Sequence, residues 1–143
     1  MLSLAIDLVR TDAERALLFA LAREMFGGVP GWDDRRNLDV LEEDVVLVAH
    51  GDSSVAGYVA LHERPPVVVI DQVLVTEHAV ADEVGRRLVC CAEGYAIARH
   101  AQRIEIRVEP DNHPARALYD SLGFRPCAAE LLALPLGTPS IGR

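Results

Sequence analysis

Two spacings of apolar side chains take turns along this chain. Leu2 to Val9 alternates loosely and predicts a first strand. Thr11-Asp12-Ala13-Glu14 has the form of a capping box, and Leu17, Leu18, Leu21 and Met25 recur behind it at helical intervals. A helix with those four residues facing inward is therefore expected, stopping at Gly27-Gly28. Val29 to Glu43 carries Pro30, Gly31 and Trp32 and then an amphipathic piece ending at Leu38 and Leu41, which predicts a second, short helix. Val45 to His50 and Val55 to Glu63 flank Gly51-Asp52-Ser53-Ser54, a hairpin pattern. A second turn at Arg64-Pro65-Pro66 leads into the β-branched run Val67 to Val75, so the three strands form an antiparallel meander. A long helix follows with Val84, Leu88, Cys91, Tyr95 and Ala98 on one stripe, and Arg103 to Val108 alternates as the next strand.

The segment Val108 to Pro126, V-E-P-D-N-H-P-A-R-A-L-Y-D-S-L-G-F-R-P, reads as strand, capped helix, glycine stop and strand. Asp111 or Asn112 can cap the helix, Pro114 suits its first turn, and Ala115, Leu118, Tyr119 and Leu122 follow the rhythm of one buried face. Gly123 ends it. The element order is then β-α-α-β-β-β-α-β-α-β, in the α+β (α/β) class. One domain over residues 1–134 is expected, with an irregular tail from Pro135 to Arg143.

The motif N-x-x-A-x-x-L-Y-x-x-x-G-F within that segment resembles the C-terminal acyl-CoA motif of the GNAT superfamily of N-acetyltransferases, and the element order is the one this resemblance implies. It implies a mixed, mostly antiparallel sheet of six to seven strands with flanking helices, whose fourth and fifth strands splay to admit acetyl-CoA. It also implies transfer of an acetyl group to the primary amine of a small molecule by direct attack in a ternary complex.

Composition narrows the chemistry. All 14 basic residues are arginine, so no lysine can serve as nucleophile or Schiff base. A formal charge of −8 opposes nucleic acid and anionic membrane and favours small cationic partners. The longest apolar run, near Val67 to Ile70, falls far short of the roughly 20 residues that span a bilayer. The N-terminus lacks the pattern of a signal peptide, and a cytoplasmic protein is the default. The 3 cysteines form neither a disulfide framework nor a metal spacing, and buried reduced thiols with no metal are expected.

Under the resemblance, Asp71 and Gln72 interrupt the third β-branched run where relatives carry a bulge, and the main chain of Val73, Leu74 and Val75 would hold the thioester carbonyl and the pantetheine arm. Tyr119 sits where relatives place a tyrosine that donates toward the coenzyme sulfur; packing as the i+4 core residue of its helix is the plainer role. Asn112 is a candidate hydrogen-bond donor to the coenzyme arm or simply a helix cap, and Ala115 lies beside it. The base candidates are Asp71, Glu63 and His62. By analogy Gly27 to Glu43 and Ala128 to Leu136 wall the acceptor pocket, with Trp32 its large aromatic, and the family admits homodimers.

One motif departs from the family. Relatives carry R/Q-x-x-G-x-G/A before the long helix to seat the coenzyme pyrophosphate on backbone N–H groups. Here the stretch is Val80-Ala81-Asp82-Glu83-Val84-Gly85, followed by Arg86. Two carboxylates stand where phosphates dock, and like charges about 5 Å apart at an effective dielectric near 20 repel by roughly 3 kcal/mol per pair. Asp82 as an N-cap, with Arg86 and Arg87 nearby, would relieve this. The alternative is a GNAT-fold protein without transfer activity that acts as a binding or interaction module.

Overall fold

The computed structural model describes residues 4–52, 54–76 and 81–136, with the side chains of Ala81 and Asp82 left aside. The elements are β1 (Ala5–Leu8), α1 (Asp12–Phe26), α2 (Asp34–Glu43), β2 (Val45–His50), β3 (Val55–Arg64), β4 (Val67–Val75), α3 (Ala81–Ala98), β5 (Arg103–Arg107), α4 (His113–Ser121), β6 (Arg125–Ala128) and β7 (Leu131–Pro135). One seven-stranded sheet runs β1-β2-β3-β4-β5-β7-β6. Every neighbouring pair is antiparallel except β4 and β5, which are parallel and joined through α3.

The local signals act as the sequence suggests. Thr11 and Glu14 form a reciprocal capping box at the start of α1, Asn112 rather than Asp111 caps α4 by accepting from the Ala115 N–H, and Gly123 takes φ +100°, a left-handed turn that suits glycine. The end of the chain differs. A single strand from Phe124 was expected, whereas β6 and β7 form a hairpin, and β7 lies between β6 and β5. Ala129-Glu130 at its turn carries neither glycine nor proline, so the reversal leaves no trace in composition. Pro135, assigned to the tail, is the last residue of β7.

Helices α1 and α2 cover one sheet face around Leu18, Ala22, Leu41, Val46, Tyr58 and Leu74. Helices α3 and α4 cover the other around Leu61, Ile70, Leu88, Ile104, Tyr119 and Phe124. Two helical stripes are rotated from expectation. On α3 the buried residues are Val84, Leu88, Val89, Ala92 and Ala96, while Cys91 and Ala98 are exposed. On α1 Leu18 and Ala22 are buried while Leu17 is 64% exposed. In both helices alanines join the larger apolar residues on the buried face, where a small side chain lets the helix pack closely. All three cysteines are exposed, which corrects the expectation of buried thiols.

Two glycines separate close packing from free space. A methyl added at Gly57, in the middle of the sheet, would run into the Leu74 carbonyl, whereas one at Gly94 on α3 meets nothing within 4 Å. Gly57→Ala is expected to lower stability by about 2 kcal/mol or more, and Gly94→Ala to raise it by about 0.5–1 kcal/mol. Urea unfolding of the two variants against the parent checks both signs.

Candidate active site

The site begins with one extra residue in β4. The β3–β4 register pairs Leu61 with Ile70 and Ala60 with Gln72, so Asp71 has no partner opposite it. This β-bulge breaks the alternation of side chains. Val68 and Ile70 face α3 before it and Val73 and Val75 face α3 after it, so the consecutive residues Asp71 and Gln72 both turn toward α2. The β4–β5 ladder ends at the same place, its last pair being Ile70↔Ile106. The predicted splay of the fourth and fifth strands is therefore present, and it starts at the bulge.

Beyond Ile70 the outer edge of β4 pairs with no other strand among the described residues. The Thr76 N–H donates to the Ala56 carbonyl at 2.9 Å, and strand alternation then points Leu74 toward β3 and Val73 and Val75 toward the β5 side. Of the three residues assigned as a backbone anchor, Val73 and Val75 thus offer their N–H groups to the gap and Leu74 does not. The gap is a cavity of about 300 Å³ lined by Asp71, Gln72, Val73, Ile106 to Glu109, Asn112, Ala115 and Tyr119. The Tyr119 side chain is buried, edge-on to Phe124 with ring centroids 5.6 Å apart. Burial pushes its phenol up to about 12. Tyrosine is thus both a core residue and a cleft-lining one. Asn112 Oδ1 accepts from the Ala115 N–H at 3.3 Å, so its oxygen serves the cap.

On the α2 side of the bulge a second cavity, about 410 Å³, is lined by Phe26, Val29, Trp32, Asn37 and Val40 across from Asp71 to Leu74. Trp32 packs against Phe19, centroids 6.5 Å apart, while its ring also borders this space. Gln72 is fixed between Tyr58 Oη, which donates to its Oε1 at 2.9 Å, and Asn37 Oδ1, which accepts from its Nε2 at 3.1 Å. A third cavity of about 650 Å³ opens over Asp44, His62 and Asp71. Asp71 borders all three spaces.

His62 Nδ1 and Asp71 Oδ2 are hydrogen-bonded at 2.7 Å, and Asp44 Oδ1 lies 3.9 Å from the same nitrogen. Asp44 is only 7% exposed, and its Oδ2 has no hydrogen-bond partner among the described residues. Desolvation, and then the neighbouring Asp71, push its carboxyl up to about 8, with Arg15 opposing. The Arg15 guanidinium holds the Leu41 and Asp44 carbonyls, the latter at 2.8 Å, which fixes the backbone that carries Asp44. Asp44, Arg15, Asn37 and Tyr58 were not anticipated. Glu42-Glu43-Asp44 reads as a solvated helix end, and only the place of Asp44 directly before the apolar run of β2 hints that the third acid turns inward.

Other expected residues are not brought to the cleft. Glu63 shares the α3 face with Leu61 and is held by Tyr95 Oη at 3.0 Å and Arg99 Nε at 3.1 Å, so it is removed from the base candidates by distance of face and by pairing. Val84 is a core residue of α3, and a methyl at Gly85 would meet Leu118 at 3.3 Å, so this glycine serves helix packing. Asp82 lies within α3 rather than capping it. Glu83 and Arg86 are exposed, so the repulsion expected of Glu83 is softened by solvent and salt. Val80 lies outside the described residues. Ala128 to Leu136 holds the last residue of β6, the turn and β7, and its Leu132 is in the core.

Residues 15–124 match the Acetyltransferase (GNAT) family. The chain belongs to that family. Its fold is shared with an IAA acetyltransferase from Bacillus cereus ATCC 14579, at 21% identity and TM-score 0.77, covering 94% of this chain and 100% of that one. The ribosomal-protein-S18-alanine N-acetyltransferase of Escherichia coli aligns at 18% identity and TM-score 0.76, covering 96% and 97%. The PaiA N-acetyltransferase of Thermoplasma acidophilum, solved in complex with coenzyme A, aligns at 14% identity and TM-score 0.70, covering 92% and 99%. No curated protein matches the sequence. No described helix is long and apolar enough to cross a membrane.

The buried Asp44 carboxyl has a signature in stability. Its folded value is raised, so the folded state holds a proton that the unfolded chain releases; stability falls as pH rises from about 4 to about 8 and then levels. Asp44→Asn removes the charge. Its melting temperature is expected to match the parent near pH 4 and to exceed it by about 3 °C or more at pH 9, read by thermal unfolding across that range.

Proposed function

We propose that this chain transfers the acetyl group of acetyl-CoA to the primary amine of a small molecule by direct attack in a ternary complex. The observation that carries the reading is the outer edge of β4 beyond Ile70, unpaired among the described residues, where the Val73 N–H faces a cleft shared with Tyr119 and the Val75 N–H points the same way further along the edge. A thioester laid along that edge finds donors for its carbonyl oxygen and pantetheine amide without displacing any strand. The coenzyme A complex of the Thermoplasma neighbour supports the choice of donor.

The amine enters from the α2 side, past Trp32, and its nitrogen attacks the thioester carbon. The N–C bond forms as the C–S bond breaks, the amine proton passes to Asp71, and the thiolate leaves beside Tyr119. The tyrosine acts here as a hydrogen-bond donor. With its phenol near 12 and a thiol near 8.5, complete transfer of its proton to sulfur would run uphill by about 5 kcal/mol. A charge-assisted bond to the departing sulfur contributes about 1.5–3 kcal/mol.

The acids at the start of α3 favour the competing reading, a binding module that no longer holds the coenzyme, while the open β4 edge favours the transferase. Calorimetric titration with acetyl-CoA separates them: one-to-one binding is expected, and no binding up to millimolar concentration would overturn the transferase. Tyr119→Phe is expected to lower kcat for thiol release by about 10- to 150-fold, with folding intact by circular dichroism. Because the phenol stays protonated, the parent should show no loss of rate from Tyr119 ionisation below about pH 11.

A further inference from the structure

We propose that Asp44, His62 and Asp71 form a binding site for a divalent transition-metal ion, zinc foremost. One imidazole and two carboxylates are a ligand set suited to zinc and its neighbours rather than to magnesium or calcium. Their ligand atoms lie within 4.8 Å of one another. Around a tetrahedral ion with bonds of about 2.0–2.2 Å, ligand atoms sit roughly 3.4 Å apart. The His62 to Asp71 separation of 2.7 Å and the His62 to Asp44 separation of 3.9 Å lie on either side of that figure.

A second observation points to a missing positive partner. The Asp44 side chain is more than nine-tenths buried, its Oδ2 has no hydrogen-bond partner among the described residues, and its other oxygen is aimed at the His62 ring. The neighbour that the buried Asp44 carboxyl does have is a second acid, Asp71, and an ion would supply positive charge between the two. The supporting shell is in place, since Arg15 clamps the Leu41 and Asp44 carbonyls and the bulge fixes Asp71. An entry path exists through the third cavity, whose rim carries Asp33, Asp39 and Glu43 against Arg35 and Arg36. Three protein ligands leave a fourth position open to that cavity.

Ligation draws on the same Asp71 carboxylate that accepts the amine proton, so the metal-bound protein is the inactive form; this consequence alone rests on the acyl-transfer reading. The binding test needs no activity. The full chain carrying Cys90→Ser, Cys91→Ser and Cys127→Ser, which removes the exposed thiols, is titrated with zinc chloride in metal-free buffer at pH 7 by calorimetry. One-to-one binding is expected, weakened at least about tenfold in His62→Ala and in Asp44→Asn. His62→Gln replaces His62→Ala if the latter does not keep the parent circular dichroism. Absence of one-to-one binding up to about 1 mM zinc, or less than tenfold weakening in either ligand variant, would overturn the site.

Discussion

The structure depends on where two parallel strands stop pairing. Each is held on its far side for longer than on its near side: β4 stays bonded to β3 as far as Thr76, and β5 stays bonded to β7, with the Val108 N–H continuing that ladder to Glu130. Between them only Val67 to Ile70 pairs with Arg103 to Ile106. Sheet twist rotates neighbouring strands against one another, and the unpaired residue Asp71 adds to that rotation. The strands are pulled apart by their outer partners, and the gap then needs no separate device to keep it open.

A bare strand edge inside a fold leaves N–H groups without partners, a cost of about 1–3 kcal/mol for each group that is buried. In the proposed reaction the thioester lies along this edge, and the same bulge that bares the amides of Val73 and Val75 turns Asp71 and Gln72 toward α2. One insertion therefore sets both halves of the site. Asp44 also carries a cost, since a carboxyl buried beside a second acid lowers stability wherever it is ionised. Such groups persist where they have work to do.

Much of the fold was legible because its signals are local. The capping box at Thr11, the hairpin at Gly51 to Ser54, the β-branched run from Val67 and the capped α4 each announce themselves within a few residues. The motif around Tyr119 then supplied the family, and Asp71 was picked out as polar in an apolar run. What sequence hid depends on contacts between distant segments. The turn at Ala129-Glu130 has no breaker residue, so β7 was absorbed into its neighbour. Glu63 and His62 are adjacent in sequence, and strand alternation sends one to α3 and the other to Asp71. The inward turn of Asp44 follows from the junction of α2 with β2 and from Arg15, 29 residues away in sequence. Small residues misled the helical stripes, because Ala22, Ala92 and Ala96 carry little hydropathy and yet are fully buried.

The central claim concerns individual amides, and single-residue hydrogen exchange followed by NMR tests it most directly. In the free protein the Leu74 amide should exchange slowly, bonded to β3, while those of Val73 and Val75 exchange fast; saturating acetyl-CoA should slow Val73 and Val75 and leave Leu74 as it was. Protection of Val73 and Val75 before any coenzyme is added, or exchange at both that acetyl-CoA does not change, would contradict the account.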